Sequence, residues 1–496
     1  MKLEQQSCDR SLFLAVLAVG FVFTAFASAQ VNLTQISQDT FTDSASQHAT
    51  EVEPSSYTWG STIVSAFQVA RIYGGGGADI GWATSTDGGT TWMNGYLPGI
   101  TVYQGGGTYS AASDASVAYD ALHNTWLIQS LPIGSNNNVV MVSRSTDGVN
   151  WSNPVMINKA GSADKNWIVC DNTATSPHYG NCYSEWDDTS QGDLIEMSTS
   201  SDGGVTWSKE STTANSDFGI GGVPLVLPNG TVVVPINGFN GDVIAFTSTD
   251  GGKTWKGAVN VGTDNSHGEG GGIRSAGLIA AAVDGAGKVY VAWPDCRYRS
   301  GCSANDIVYS TSKNGVKWTA VKRVPIDATS STVDHFIIGL GVTPGTKGAK
   351  ANVALVYYYY PVSNCNSDCQ LYAGFIQSAS GGKTWSAPVT LAGPMQLTWL
   401  PDTFSGYMVA DYVAVGFGKG KAFPIFAAAQ ANQGTKFHEA IYTTSTGLAP
   451  SGPGQEYLSS EGDFAIPGTV SDHGPRQYLD QEDTIPVSGQ RPPEKD

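Results

Sequence analysis

Positive charge is scarce in this chain. Its 496 residues hold 26 Lys and Arg against 43 Asp and Glu, a net charge of −17. A surface of that sign repels phosphate backbones and anionic lipid, which argues against nucleic acid or a membrane surface as partner. Beyond residue 29 the only arginines are Arg71, Arg144, Arg274, Arg297, Arg299, Arg323, Arg476 and Arg491. His267, His335 and His438 are scattered and match no zinc spacing. Gly74–Gly77 leads into a strand pattern, not a helix, which excludes a phosphate cradle. Helical heptads are missing. The single long apolar run, Leu12 to Phe26, follows Lys2 and Arg10 and ends at Ala27-Ser28-Ala29 before Gln30. Residues 1–29 therefore read as a secretory signal, and we expect an exported protein with no membrane insertion.

What is present is Gly (60 residues), with Thr, Ser, Val and aromatics, as an all-β chain requires. One motif recurs. Ser85-Thr86-Asp87-Gly88-Gly89-Thr90-Thr91-Trp92 returns as Ser200 to Trp207 and Ser248 to Trp255. A copy one residue shorter runs from Ser145 through Asp147 to Trp151. Ser312 to Trp318 has Asn314 in the Asp place, and Ser378 to Trp385 has Ser380 there. Successive Trp residues lie 48 to 67 positions apart, the mark of a repeat architecture. An Asp before Gly bonds backbone N–H groups ahead of it, and Gly accepts the positive φ a hairpin needs. Asp87, Asp147, Asp202 and Asp250 are thus expected to staple turns. One active site has no use for six similar copies around a ring.

On these motifs the chain resembles the Asp-box (bacterial neuraminidase repeat) β-propellers, a group that includes the sialidases. The resemblance spans about residues 45–447 and implies a toroid of four-stranded blades over residues 30–449. Seven strand patterns of the box-preceding kind, Asp79–Thr84 first and Glu439–Thr444 last, predict seven blades; six, as in the sialidases, is the alternative. Segment Val31–Ser37 is expected to add the outer strand of the last blade. The Gly-, Pro- and acid-rich residues 450–496 read as an irregular tail. Six Cys fall in close pairs, suggesting bridges Cys170–Cys182, Cys296–Cys302 and Cys365–Cys369 in an oxidising compartment.

Propeller geometry puts box turns on one face and a working surface on the other. Positions just before the innermost strands carry Glu53, Asp114, Asp164, Asp334 and Asp411, with Glu269 and Arg274 in the fifth set. Converging carboxylates could serve as a sugar-binding rim, a paired-carboxylate active site, or a seat for Ca²⁺; no cofactor is otherwise required. The resemblance implies a sialidase-type exo-glycosidase: Arg71, Arg274 and Arg297 as clamp for a substrate carboxylate, Tyr412 (or Tyr407) as nucleophile, Glu269 as its base and Asp114 as acid. Alanine at Arg274 should then stop cleavage and leave the fold intact. The Arg-Ile-Pro motif of sialidases is absent; Ala70-Arg71-Ile72-Tyr73 is the nearest run, expected in a loop. The rival is a non-catalytic propeller that presents a rim to a glycan or protein, with Trp59, Tyr73, Tyr298 and Tyr407 as stacking surfaces. A monomer is expected in either case.

Overall fold

The computed structural model describes residues 31–452, apart from 136, 159 and 160. The expected leader and nearly all of the expected tail lie outside those residues. Among the described residues no helix is long and apolar enough to cross a membrane.

The chain runs as a succession of antiparallel meanders. Strands Ser46–Trp59, Thr62–Ile72, Gly77–Ser85 and Met93–Tyr96 form the first, and Ala111–Asp120, Thr125–Ile133, Met141–Ser145 and Val155–Met156 the second. One residue pair, Gly77 with Ala112, joins these into an eight-stranded sheet. Ala163–Cys170, Cys182–Asp188 and Leu194–Ser200 follow as a three-stranded sheet, extended by a bridge from Met197 to Ser211. Three four-stranded sheets come next, opening with Leu225–Val226, Ala280–Val283 and Asp334–Val342. In the last sheet Ala414–Gly418, Lys421–Ala429 and Glu439–Thr444 are completed by Leu33–Gln35, with Leu33 opposite Thr444. This all-β architecture is a β-propeller. Its closing strand comes from the start of the described chain and leaves no long open edge there.

The box turns have the expected mechanics. Asp250 Oδ1 accepts the N–H groups of Lys253 (3.1 Å) and Thr254 (3.0 Å), while its Oδ2 accepts the Thr254 hydroxyl (2.6 Å). Ser248 Oγ accepts the Gly252 N–H at 3.0 Å. Burial works against the Asp250 charge, but the Thr254 hydroxyl and N–H hold its carboxyl down at about 2. Asn314 repeats the pattern with its amide oxygen, and Ser380 accepts the Thr384 N–H at 2.8 Å.

Each clasp also reaches the preceding sheet. A Cβ on Gly315 would lie 2.7 Å from Val233. Gly382 O accepts the Tyr309 hydroxyl at 2.8 Å, and Gly89 packs on Phe423 of the last sheet. Glycine is required at such positions because any side chain would occupy its neighbour's volume. Between the sheets the apolar faces fuse into seams. Val64, Ile80 and Trp82 of the first meander meet Val117, Trp126 and Ile128 of the second.

Candidate active site

The innermost strands carry a shared irregularity. Their pairing slips between Val52 and Ser55, Ser113 and Ser116, Asp164 and Trp167, and Phe336 and Ile338. At the slips Glu53, Asp114, Lys165 and Ile337 adopt φ of 56°, 43°, 43° and 42°. These are bulges, which turn one side chain away from the alternation of its strand. Glu53, Asp114 and Asp164 therefore lie inside strands rather than just before them, because the strands continue past each bulge.

Three of the bulged residues meet one another. Lys165 Nζ donates to Asp411 Oδ2 at 2.8 Å and lies 3.5 Å from Asp114 Oδ1. Arg274 presents its fork to the same carboxylate, Nε to Oδ1 at 3.0 Å and Nη2 to Oδ2 at 2.5 Å. The Asp411 N–H donates to Glu53 Oε1 at 3.2 Å, and Gln68 Nε2 donates to Glu53 Oε2. Gln68 also holds Ser113 Oγ at 2.8 Å, and its Oε1 accepts from Arg71 Nη1 at 3.1 Å. Tyr412 closes the group, its ring edge-on to Trp167 at 5.1 Å.

Electrostatics separate the two central carboxyls. Burial, and then the charge of Asp411, push Glu53 well above the ordinary carboxyl range. Asp411 is equally buried, but Arg274 and Lys165 outweigh that and hold it well below its usual value. Burial, Glu53 and Asp114 raise the Tyr412 phenol well above 10.0, so it keeps its proton. The acids expected to hold Ca²⁺ here thus face two protein cations. A divalent cation would be repelled by both, and the donor set does not fit one.

The remaining expected site residues lie elsewhere. Arg71 is fully buried on strand Thr62–Ile72, not in a loop, and also donates to Gly76 O at 2.7 Å. Arg297 grips Asp295 (2.8 and 2.6 Å). Of the three arginines of the expected clamp, Arg274 thus grips Asp411, Arg297 grips Asp295, and Arg71 bonds Gln68 and Gly76. Asp164 Oδ1 accepts the Lys165 N–H at 2.8 Å. Glu269 Oε1 accepts from Asn305 Nδ2 at 3.1 Å, and Asp334 lies 3.1 Å from His267 Nδ1. Trp59 stands at the far end of its strand from Glu53 and stacks on Tyr119 at 5.2 Å. All three expected disulfides are present.

Lys165, Gln68 and the His267–Asp334 pair escaped the sequence reading. Lys165 fills the bulge slot that Glu53 and Asp114 fill in the first two meanders, a place that only the strand register reveals. A second acid cluster, Asp306, Asp327 and His335, has ligand atoms within 4.8 Å of one another. Arg299 and Arg323 already pair both of its carboxylates at 2.6–2.8 Å, which leaves no place for an added cation.

Below the ionic group lies a cavity of about 500 Å³. Tyr57, Val117, Val169, Val223, Leu278, Leu340 and Val415 are among its walls, and Asp114, Lys165 and Tyr412 also line it. Two loops meet next to Arg274: Ile273 bridges Tyr407 in parallel, the Arg274 N–H donates to Tyr407 O (2.8 Å) and the Tyr407 N–H to Gly272 O (2.9 Å).

Residues 134–344 match the BNR repeat-like domain. No curated protein matches the chain. Solved structures that resemble it include the Hadza microbial sialidase Hz136, at 17% identity over 62% of this chain and 64% of that one (TM-score 0.40). The NanB sialidase of Streptococcus pneumoniae is 16% identical over 83% and 70% (0.42). The intramolecular trans-sialidase of Ruminococcus gnavus is 15% identical over 86% and 100% (0.40). At these identities none of their residues is carried over. With its stapled turns, the chain is a β-propeller that carries a BNR repeat-like domain over residues 134–344.

Proposed function

We propose that this protein is a secreted, sialidase-like glycoside hydrolase that acts on glycans at the rim above the ionic group. The observation that carries this is the meeting of Glu53, Asp114 and Lys165, three ionisable residues in the left-handed region, with the Arg274–Asp411 pair. Backbone strain at charged residues is kept where the surroundings enforce it, and it concentrates at reacting centres. In such a cluster a carboxyl kept protonated can serve as acid while a neighbouring one serves as base.

In this reading Glu53 keeps a proton and delivers it to the leaving glycosidic oxygen. Tyr412 is the neutral nucleophile at the anomeric carbon, and its proton passes to Asp114. Asp411 aligns Arg274 and Lys165. In this reading the loops that meet at Ile273 and Tyr407, next to Arg274, part to admit a sugar to the buried group.

Seven blades belong to the same reading. The eight-stranded sheet hangs together at a single residue pair and divides there into two four-stranded sets. The cavity is lined by stretches from seven successive innermost segments, from Ser55–Trp59 to Tyr412–Val415. Export is supported by the three disulfides. We take the protein to act as a monomer.

A second reading is favoured by one fact: the Arg274 fork is already filled by Asp411. The group would then be a polar pin that holds a binding propeller together. A panel of fluorogenic glycosides, charged and neutral, decides between them. Turnover that disappears in Glu53→Gln and Tyr412→Phe supports the hydrolase. No turnover on any sugar, with folding intact, supports the pin.

A further inference from the structure

The seam that closes the ring carries buried acid without buried base. Strand Leu33–Gln35 ends beside Ser37, whose hydroxyl donates to Glu51 Oε2 at 2.5 Å and accepts the Ile441 N–H at 2.8 Å. Glu439 stands two residues before Ile441, at the start of the strand that Leu33–Gln35 pairs with. Glu51 is 1% exposed and Glu439 0%. Neither oxygen of Glu439, nor Oε1 of Glu51, meets a hydrogen-bond donor.

Among the described residues no cation meets either carboxyl directly. Asp39 faces Glu51, and Asp39 spends its charge on His48 Nδ1 at 2.8 Å; the other ring nitrogen of His48 meets Asp43 O at 2.8 Å. Tyr96 and Tyr442 face Glu51, and Tyr358 faces Glu439. All three are neutral phenols. Two ionised carboxylates sealed in such a place would cost more than the seam could sustain.

We propose that Glu51 and Glu439 are kept protonated in the closed ring, and that loss of those protons releases strand Leu33–Gln35 from strand Glu439–Thr444. The ring then has a proton-operated latch: shut in mild acid, loosened in alkali. The direction follows from linkage. Burial, opposed by Ser37, lifts Glu51 from 4.5 to about 8, and burial with the charge of Glu51 lifts Glu439 well above its ordinary value. The closed state therefore binds more protons than the open one, and closure weakens as pH rises from 4.5 through about 8.

Hydrogen–deuterium exchange of the intact chain tests this. After correction for intrinsic base catalysis, opening of segments 31–37 and 439–444 should rise at least about 50-fold between pH 6 and pH 8, the share of the Glu51 proton alone. Sheets remote from the seam, such as Asp242–Ser248, should not follow. Glu439→Gln, a neutral copy of the protonated acid, should make that rise shallower by its own proton's share; Glu51→Gln should do the same and serves if the first variant misfolds. Seam opening that is flat across this range in the wild type overturns the proposal. So does an unchanged slope in both glutamine variants.

Discussion

Arg274 and Asp411 lie 137 residues apart in sequence and are joined by two parallel hydrogen bonds, with side chains 4% and 0% exposed. The bond ties the loop before Ala280–Val283 to the loop before Ala414–Gly418. It makes Arg274 a structural member of the molecule whatever else it does.

Removing Arg274 leaves the buried Asp411 carboxylate short of one of its two cations, with Lys165 as the other. Arg274→Ala should cost about 3–5 kcal/mol of stability in urea or thermal unfolding. The expectation that this variant leaves the fold untouched is therefore revised. Arg274→Met with Asp411→Leu, which removes both charges, should recover most of the loss. A single-variant cost below about 1 kcal/mol would mean that the cluster is solvated.

The box turns should rank by contact, not by sequence match. Asp250→Ala loses the bonds to Lys253 and Thr254 and should cost about 1–2 kcal/mol. Gly315→Ala should cost more, since φ there is 71° and the new methyl meets Val233 and Thr247. Matched thermal melts of the two variants check the order.

Glu196 offers a second pH handle, away from the seam. Burial, then Asp188 and Glu210, lift it from 4.5 to about 7, while Trp186 Nε1 donates to Oε2 at 3.1 Å. Its contribution is complete below pH 4.5 and is lost as pH rises through about 7. Glu196→Gln should flatten the fall of the melting temperature across that window. The effect should be small, because the group is only half buried.

The loop junction next to Arg274 should control access. Gly406 has φ of 113° and packs on Gly272 O. Gly406→Val should break the Tyr407–Gly272 bond and speed exchange in residues 268–274 and 400–410. If the hydrolase reading holds, KM on glycosides should change with it. Exchange that stays slow would show that the bridge does not hold the loops.

Reduction should separate the bridges by span. Cys170–Cys182 closes a separation of 12 residues and Cys365–Cys369 only 4. Replacing both cysteines of the first pair by Ala should cost about 2–3 kcal/mol, and of the second less, by loop entropy. Urea midpoints read the difference.

Local chemistry explains what was legible in the residues. Ser-x-Asp-Gly encodes a turn by bonds within five residues, so Asp87, Asp147, Asp202 and Asp250 could be placed without a structure. The strand before each box was readable for the same reason. The closing strand Leu33–Gln35 was legible because a strand was missing from the last set and an unassigned β-run remained. Lys165 and Gln68 were not, since their roles depend on bulges and on partners in other sheets. Arg71 looked like a loop residue beside Gly74–Gly77, yet the strand runs on to Ile72 and buries it. The rim acids were readable as a set, but not the cations that answer them, because Asp411 meets Lys165 across 246 positions.

The pairing of Leu33–Gln35 with Glu439–Thr444 bears on how the chain is made. Thr34 reaches Ser445 across 411 positions. At a synthesis rate of ~5–20 residues per second, the ribosome delivers the first strand roughly 20–80 s before its mate. For that interval the nascent polypeptide carries an unsatisfied strand that can recruit a neighbouring chain. Crowded translation of this protein should therefore depend on a holding chaperone until the final hundred residues emerge.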